Sequence, residues 1–168
     1  MSERTVPRHI LPVIVLAQLL GTSLWFAVNA VMPDLQRELG WPTSTVGTLT
    51  SALQFGFILG TLVFALLALA DRFAPRQVFL VCALAGAGCT VGAWAMVRDQ
   101  DALMLWRFAT GFFLAGIYPV GMKIAAQWYS KGLGAALGYL IGALVVGSAS
   151  AHALRALGDA LPWPTLML

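Results

Sequence analysis

Five long apolar stretches follow one another along this chain, at residues 10–32, 46–70, 76–97, 102–128 and 133–154. A hydrocarbon core ~30 Å thick takes about 20 helical residues to cross, and each stretch reaches that length. Repeated five times within 168 residues, the pattern leaves little chain for a water-soluble domain. In lipid the backbone finds no water partners, so only helices and closed barrels span it. Barrel strands alternate apolar and polar over about ten residues, and these stretches do not alternate. The expected fold is therefore all-α: a polytopic transmembrane helix bundle of five full spans. A sixth apolar stretch opens at Leu161 and has run eight residues by Leu168, too few to cross. The expected organisation is a short cytoplasmic tail over 1–9 and one transmembrane domain over 10–168, truncated within its sixth helix.

The composition agrees. Apolar residues make up 60% of the chain and charged residues 10%, against ~45–50% and ~25% in soluble domains; the mean hydropathy is +0.83. The net charge of +3 is small and the basic residues are scattered, so nucleic acid is not an expected partner. Arg4, Arg8 and His9 precede an apolar run, as in a secretory signal. A signal core is only about 7–15 residues, however, and a retained first helix fits better. Cys82 and Cys89 lie seven apart on one helix face and read as packing residues rather than a disulfide or metal site. No His-Glu metal motif, nucleophile elbow or phosphate loop is present, so neither an enzyme nor a metal or cofactor is expected.

The linkers carry breaker residues. Pro33-Asp34 is expected to close the first span, Ser44 to cap the second, Pro75 to separate the second and third, and Asp101 to cap the fourth. Linkers this short make successive helices antiparallel. Arg4, Arg8, Arg72, Arg76, Lys131 and Lys123 then fall on one side, with Arg37, Arg98 and Arg155 on the other. The excess places the N-terminus in the cytoplasm.

The first span sets Gln18, Thr22, Trp25 and Asn29 at i, i+4, i+7 and i+11, one stripe of a 3.6-residue helix. The second sets Thr50, Gln54 and Thr61 on another. Polar groups at this depth face other helices or a water-filled cavity. One such residue alone reads as an interhelical hydrogen bond, worth about 0.6 kcal/mol. Two stripes on consecutive helices, facing each other, read as the wall of a cavity. The fourth span puts Arg107, Gly111, Tyr118 and Met122 on one face. A central arginine costs ~2.5–3.5 kcal/mol to insert. Arg107 is about five residues, or ~7–8 Å, from the expected helix start. Two readings stand: the guanidinium reaches the water boundary, or it faces the cavity beside Tyr118. Lys123 lies near the cytoplasmic end and reads as a lysine reaching the interface.

Pro119 is expected to kink the fourth span. The third span, apart from its cysteines and Thr90, has no polar stripe and reads as structural. Glycines at four-residue spacing (Gly56 and Gly60; Gly88 and Gly92; Gly134, Gly138 and Gly142) favour close helix packing, the triple most specifically. His152 shares a face with Ser148 near the end of the fifth span; interfacial packing is the simpler reading and proton coupling the other.

Together these residues resemble the N-terminal half of a Major Facilitator Superfamily transporter. The stretch Leu67-Ala68-Leu69-Ala70-Asp71-Arg72-Phe73-Ala74-Pro75-Arg76-Gln77 is similar to that family's signature, Gly-x-x-x-Asp-Arg-x-Gly-Arg-Arg/Lys. Asp71, Arg72 and Arg76 fit; Leu67, Ala74, Pro75 and Gln77 depart. The resemblance implies that Asp71, Arg72 and Arg76 form a gating loop, whose charge-assisted contacts hold the two halves of such a transporter together on the cytoplasmic side in one state. Arg107-Phe108-Ala109-Thr110-Gly111 resembles the family's fourth-helix Arg-x-x-x-Gly motif, whose arginine takes part in substrate or proton coupling. Residues 115–123 and the glycines of the fifth span are similar to the branch that carries nitrate, cyanate and related small anions or sugars. The resemblance also implies that helices one, two, four and five line the cavity, a division the polar stripes give independently. It covers nearly the whole chain but about half of a family built from two six-helix halves around a midplane site. A missing C-terminal half, or a second chain, is thus the expected partner for transport.

The expected function is secondary active transport of a small solute through a cavity formed by Gln18, Trp25, Asn29, Gln54, Arg107 and Tyr118. Arg107 would attract an anionic substrate or compensate a proton-carrying group. No acidic residue sits deep in a span, which disfavours a carboxylate proton carrier in this half. The second reading is a non-transporting helical membrane scaffold or assembly module, which needs no polar cavity. A half-transporter that dimerises fits the odd helix count poorly. Each reading places the chain in lipid, within a bacterial-type inner membrane.

Overall fold

A computed structural model describes residues 6–157. Among them are seven helices: α1 (Ile10–Leu39), α2 (Ser44–Leu66), α3 (Leu69–Arg72), α4 (Pro75–Ala95), α5 (Gln100–Leu114), α6 (Tyr118–Trp128) and α7 (Leu133–Leu157). The described residues contain no strand. α3 is a single turn, and α5 and α6 are two pieces of one span, Gln100–Trp128. By length and apolar composition α1, α2, α4 and the α5–α6 pair each suffice to cross a membrane; Leu133–Gly147 of α7 is a shorter apolar stretch. The fold is the all-α membrane bundle that the apolar runs predict. The side chains of Ser148 and His152, and the sixth stretch from Leu161, lie outside the described residues.

Three boundaries differ from the sequence expectation, each for a local reason. Pro33 does not end the first helix, which runs to Leu39 and stops where Gly40 adopts the left-handed conformation at φ 67°. An interior proline forfeits one backbone bond. Here Val28, Val31, Met32 and Leu35 form one buried stripe through the proline, against Leu49 and Leu103, and that burial holds the helix together. Ser44 is the first residue of α2 rather than its cap, and Thr43 at the cap makes no side-chain capping bond. The cap of α5 is Asp99, not Asp101: Asp99 Oδ1 accepts from the backbone N–H of Asp101 at 3.0 Å and of Ala102 at 3.2 Å.

Packing does not follow chain order. α2 packs most extensively on α5, α1 on α7, and α4 on α5, while α1 and α2 scarcely meet. Glycine drives the α2–α5 crossing. A Cβ at Gly56 would run into the Phe108 carbonyl, one at Gly60 into that of Phe112, and one at Gly111 into that of Leu53. Backbone lies on backbone, as small residues at membrane interfaces permit. The buried face of α2 is therefore Leu49, Leu53, Gly56 and Gly60. Its polar stripe turns away, so the stripes of the first two spans do not face each other. In α4 the buried face carries Cys82, Gly86, Cys89, Thr90 and Ala93, and both cysteines are free thiols. The glycine triple of α7 is not a packing seam among the described residues: nothing lies within contact of a Cβ at Gly134, Gly138 or Gly142.

Candidate functional site

The centre of the bundle is shaped by the break between α5 and α6. Pro119 has no N–H for the carbonyl of Ala115, four residues back. The chain tightens instead into i→i−3 bonds, Gly116 N–H to Phe113 O at 2.9 Å and Ile117 N–H to Leu114 O at 3.0 Å. The expected kink is thus a full interruption, and Tyr118 stands at the first turn beyond it. Tyr118 lines a cavity of about 320 Å³ together with Thr22, Trp25 and Phe26 of α1, Phe57 of α2 and Leu144 of α7. Trp25 and Phe57 meet edge to face with centroids 5.3 Å apart. Four aromatic rings wall a space whose polar groups are few.

Arg107 lies beside this cavity, not at the water boundary. It is 1% exposed. The guanidinium donates to the carbonyls of Leu24 at 3.5 Å and Trp25 at 3.1 Å, and to Asn29 Oδ1 at 3.2 Å. Its Nε has no hydrogen-bond partner among the described residues, and none of their ion pairs includes Arg107. A charge taken out of water without an opposite charge costs several kcal/mol. Two helix carbonyls and an amide offset part of that cost. The guanidinium does not reach the water boundary, and Arg107 itself does not line the cavity. Trp25 joins both features: its ring lines the cavity while its carbonyl holds the arginine.

The other expected cavity residues separate. Asn29 is brought to Arg107 and Tyr118 to the cavity. Gln18 is fully buried against α6, where a Cβ at Gly121 would collide with its Oε1. Neither amide atom of Gln18 has a partner among the described residues, and the Thr22 hydroxyl donates to its backbone carbonyl at 2.7 Å. Gln54 is exposed, on the side of α2 opposite the glycine face. Phe26 and Phe57 also line the cavity, and because both are apolar a stripe of polar residues does not mark them in the sequence.

A second constellation lies at the end of the bundle where α2 gives way to α4. Ala68 has φ 50°, the left-handed region that costs a non-glycine residue roughly 1–2 kcal/mol. That turn swings α3 off the axis of α2 and presents Asp71. Lys123 of α6 donates to Asp71 Oδ1 and to the carbonyl of Ala70, the latter at 2.8 Å. The lysine thus ties the fourth span to the turn rather than simply reaching the interface. Arg72 and Arg76 are exposed. At the opposite end Arg98 pairs with Glu38 at 3.7 Å and Arg37 with Asp34 at 3.7 Å, surface pairs of little energetic weight.

The comparisons with known proteins agree with this architecture. The chain is 28% identical over 148 residues to the 4-hydroxybenzoate transporter PcaK of Acinetobacter baylyi, covering 84% of this chain and 31% of that protein. It is 26% identical over 150 residues to the protein of the same name from Pseudomonas putida, covering 81% and 33%. It is 31% identical over 121 residues to a chloramphenicol resistance protein of Streptomyces lividans, covering 72% and 29%. The chain thus spans about a third of the length of the curated relatives it matches. No solved structure gives a significant match. The sequence profile of the Major Facilitator Superfamily matches residues 14–168, nearly the whole chain and every described span, and the chain belongs to that family.

Proposed function

We propose that the chain belongs to the N-terminal half of a secondary transporter that moves a small aromatic carboxylate across a bacterial inner membrane, with its N-terminus in the cytoplasm. One observation carries the reading: a cavity walled by Trp25, Phe26, Phe57 and Tyr118, with a buried guanidinium held on the carbonyl of one of those residues. The volume is at the small end of ligand pockets. Ring-on-ring contacts contribute about 0.5–1.5 kcal/mol each beyond burial. Arg107, without a carboxylate among the described residues, leaves positive charge in a medium of low dielectric, where a substrate anion gains most.

Two relatives named as 4-hydroxybenzoate transporters support an aromatic acid. Nitrate or cyanate would leave the aromatic walls unused, so the anion of the nitrate-like branch is kept and its inorganic character is not. Gln18 and Gln54 keep a place in the proposal as groups that reach substrate after rearrangement, Gln18 when α6 moves off it and Gln54 when a second half closes over the exposed side of α2. Asp71, Arg72 and Arg76 form the cytoplasmic gate, with Lys123 as the intramolecular partner of Asp71. The scaffold reading gives no reason for an arginine without a carboxylate at the core.

Uptake of radiolabelled 4-hydroxybenzoate by the full transporter in proteoliposomes tests the proposal. The expected result is saturable uptake, competed by other aromatic carboxylates and untouched by equal nitrate, with Trp25→Ala raising KM about tenfold. Competition by nitrate, or uptake blind to Trp25→Ala, overturns it.

A further inference from the structure

The partners of the Arg107 guanidinium differ in kind. Nη1 donates to the carbonyl of Leu24, and Nη2 to the carbonyl of Trp25 and to Asn29 Oδ1. Nε has no partner among the described residues. A carboxylate grips a guanidinium side-on through Nε–H and the neighbouring Nη2–H. Half of that fork is therefore open and half is engaged. One of the two partners of Nη2 must yield before a carboxylate can close it.

Trp25 cannot yield without unwinding α1, because its carbonyl is part of the helix backbone. Asn29 can, because its amide is carried on a side chain. A guanidinium only donates, so the amide turns its oxygen toward Arg107 and its NH2 group away. That NH2 group makes no hydrogen bond among the described residues, and the Arg107 contact alone fixes the amide. Asn29 is half-buried, which leaves it room to turn. Pro33 supplies no N–H to the Asn29 carbonyl, so this turn of α1 is one ladder bond short. Asn29 also lies one turn, about 6 Å, along α1 from Trp25, whose ring lines the cavity.

From this arrangement we infer that Asn29 is a neutral placeholder for the substrate's carboxylate. Its amide oxygen holds the Nη2 donor while no substrate is bound. The carboxylate displaces it and takes Nη2–H together with the unpartnered Nε–H. The amide carries no charge, so an anion outcompetes it; an aspartate in the same place would not give way. The inference rests on the reading of the chain as part of an aromatic-carboxylate carrier, and it makes Asn29 a positioning residue that sets affinity.

Equilibrium binding of radiolabelled 4-hydroxybenzoate to the purified full transporter, with thermal unfolding of the same preparations without ligand, tests this. Asn29→Asp should weaken binding about tenfold or more and raise the unfolding temperature, because Arg107 gains a tethered opposite charge. Asn29→Leu, close in size and without an acceptor, should tighten binding about tenfold and lower the unfolding temperature, because Nη2 loses a partner that only substrate replaces. Affinity and stability thus move in opposite directions in each variant, whereas a residue that merely braces the arginine moves them together. Unchanged or weaker binding by Asn29→Leu overturns the inference and leaves the carrier reading standing. So does unchanged or tighter binding by Asn29→Asp, which decides alone should Asn29→Leu fail to fold. Absence of binding by the unaltered protein overturns the carrier reading and the inference with it.

Discussion

At the scale of residues, two positions bear more than their share, Gly111 and Ala68. Gly111 lies one turn beyond Arg107, and a methyl group there would meet the Leu53 carbonyl. Gly111→Ala is expected to destabilise the protein by about 1–3 kcal/mol through overpacking. Gly138→Ala, at a position with nothing in reach, should leave the unfolding temperature unchanged. Thermal unfolding in detergent checks both, and equal effects would contradict the backbone-on-backbone crossing of α2 and α5. Ala68 is the reverse case. Its φ of 50° is one that glycine adopts freely, so Ala68→Gly should raise the unfolding temperature, by up to about 1 kcal/mol of stability. A lowered unfolding temperature would show that the turn carries no strain. Arg107, Asn29, Trp25 and Tyr118 were legible in the sequence because a polar or amphipathic side chain deep in an apolar run must find a partner or a cavity. The positions of Gln18 and Gln54 were not. Their orientation is set by Gly121 of α6 and by the α2–α5 crossing, and periodicity within one helix contains neither.

At the scale of elements, the spans were readable and their pairing was not. Hydropathy fixes where a helix crosses, within a few residues, because burial in lipid depends on the local run. That α2 chooses α5 over α1 depends on glycines more than 50 residues apart in sequence, and no local pattern announces it. The contact between α6 and the α2–α4 turn is of the same kind. An exposed ion pair adds little stability, so the role proposed for the Lys123–Asp71 bond is to be present in one state and absent in another. Asp71→Asn and Lys123→Met should change the labelling rate of Leu144→Cys, a probe on the cavity wall, in the same direction and by about two- to fivefold. Cys82 and Cys89 are buried and are replaced by alanine in the background. Opposite shifts in the two variants, or none, would remove the pair from the gate.

At the scale of the whole molecule, one cavity wall, one buried cation and one basic end are arranged around a bundle that spans about a third of its relatives. Alternating access needs one bundle to rock against another, and the proposed carrier works only with that second half in place. Such a carrier keeps Arg107 in its core for substrate and not for stability. Burying a charge without an opposite one is a stability cost, so an apolar replacement should leave the fold intact or firmer. The decisive measurement is Arg107→Met in the full transporter, with uptake and thermal unfolding read on the same preparation. The expected result is an unfolding temperature equal to or above that of the parent and uptake reduced about 30-fold or more. A lowered unfolding temperature with unchanged uptake would refute the substrate role, and would make the arginine a structural brace.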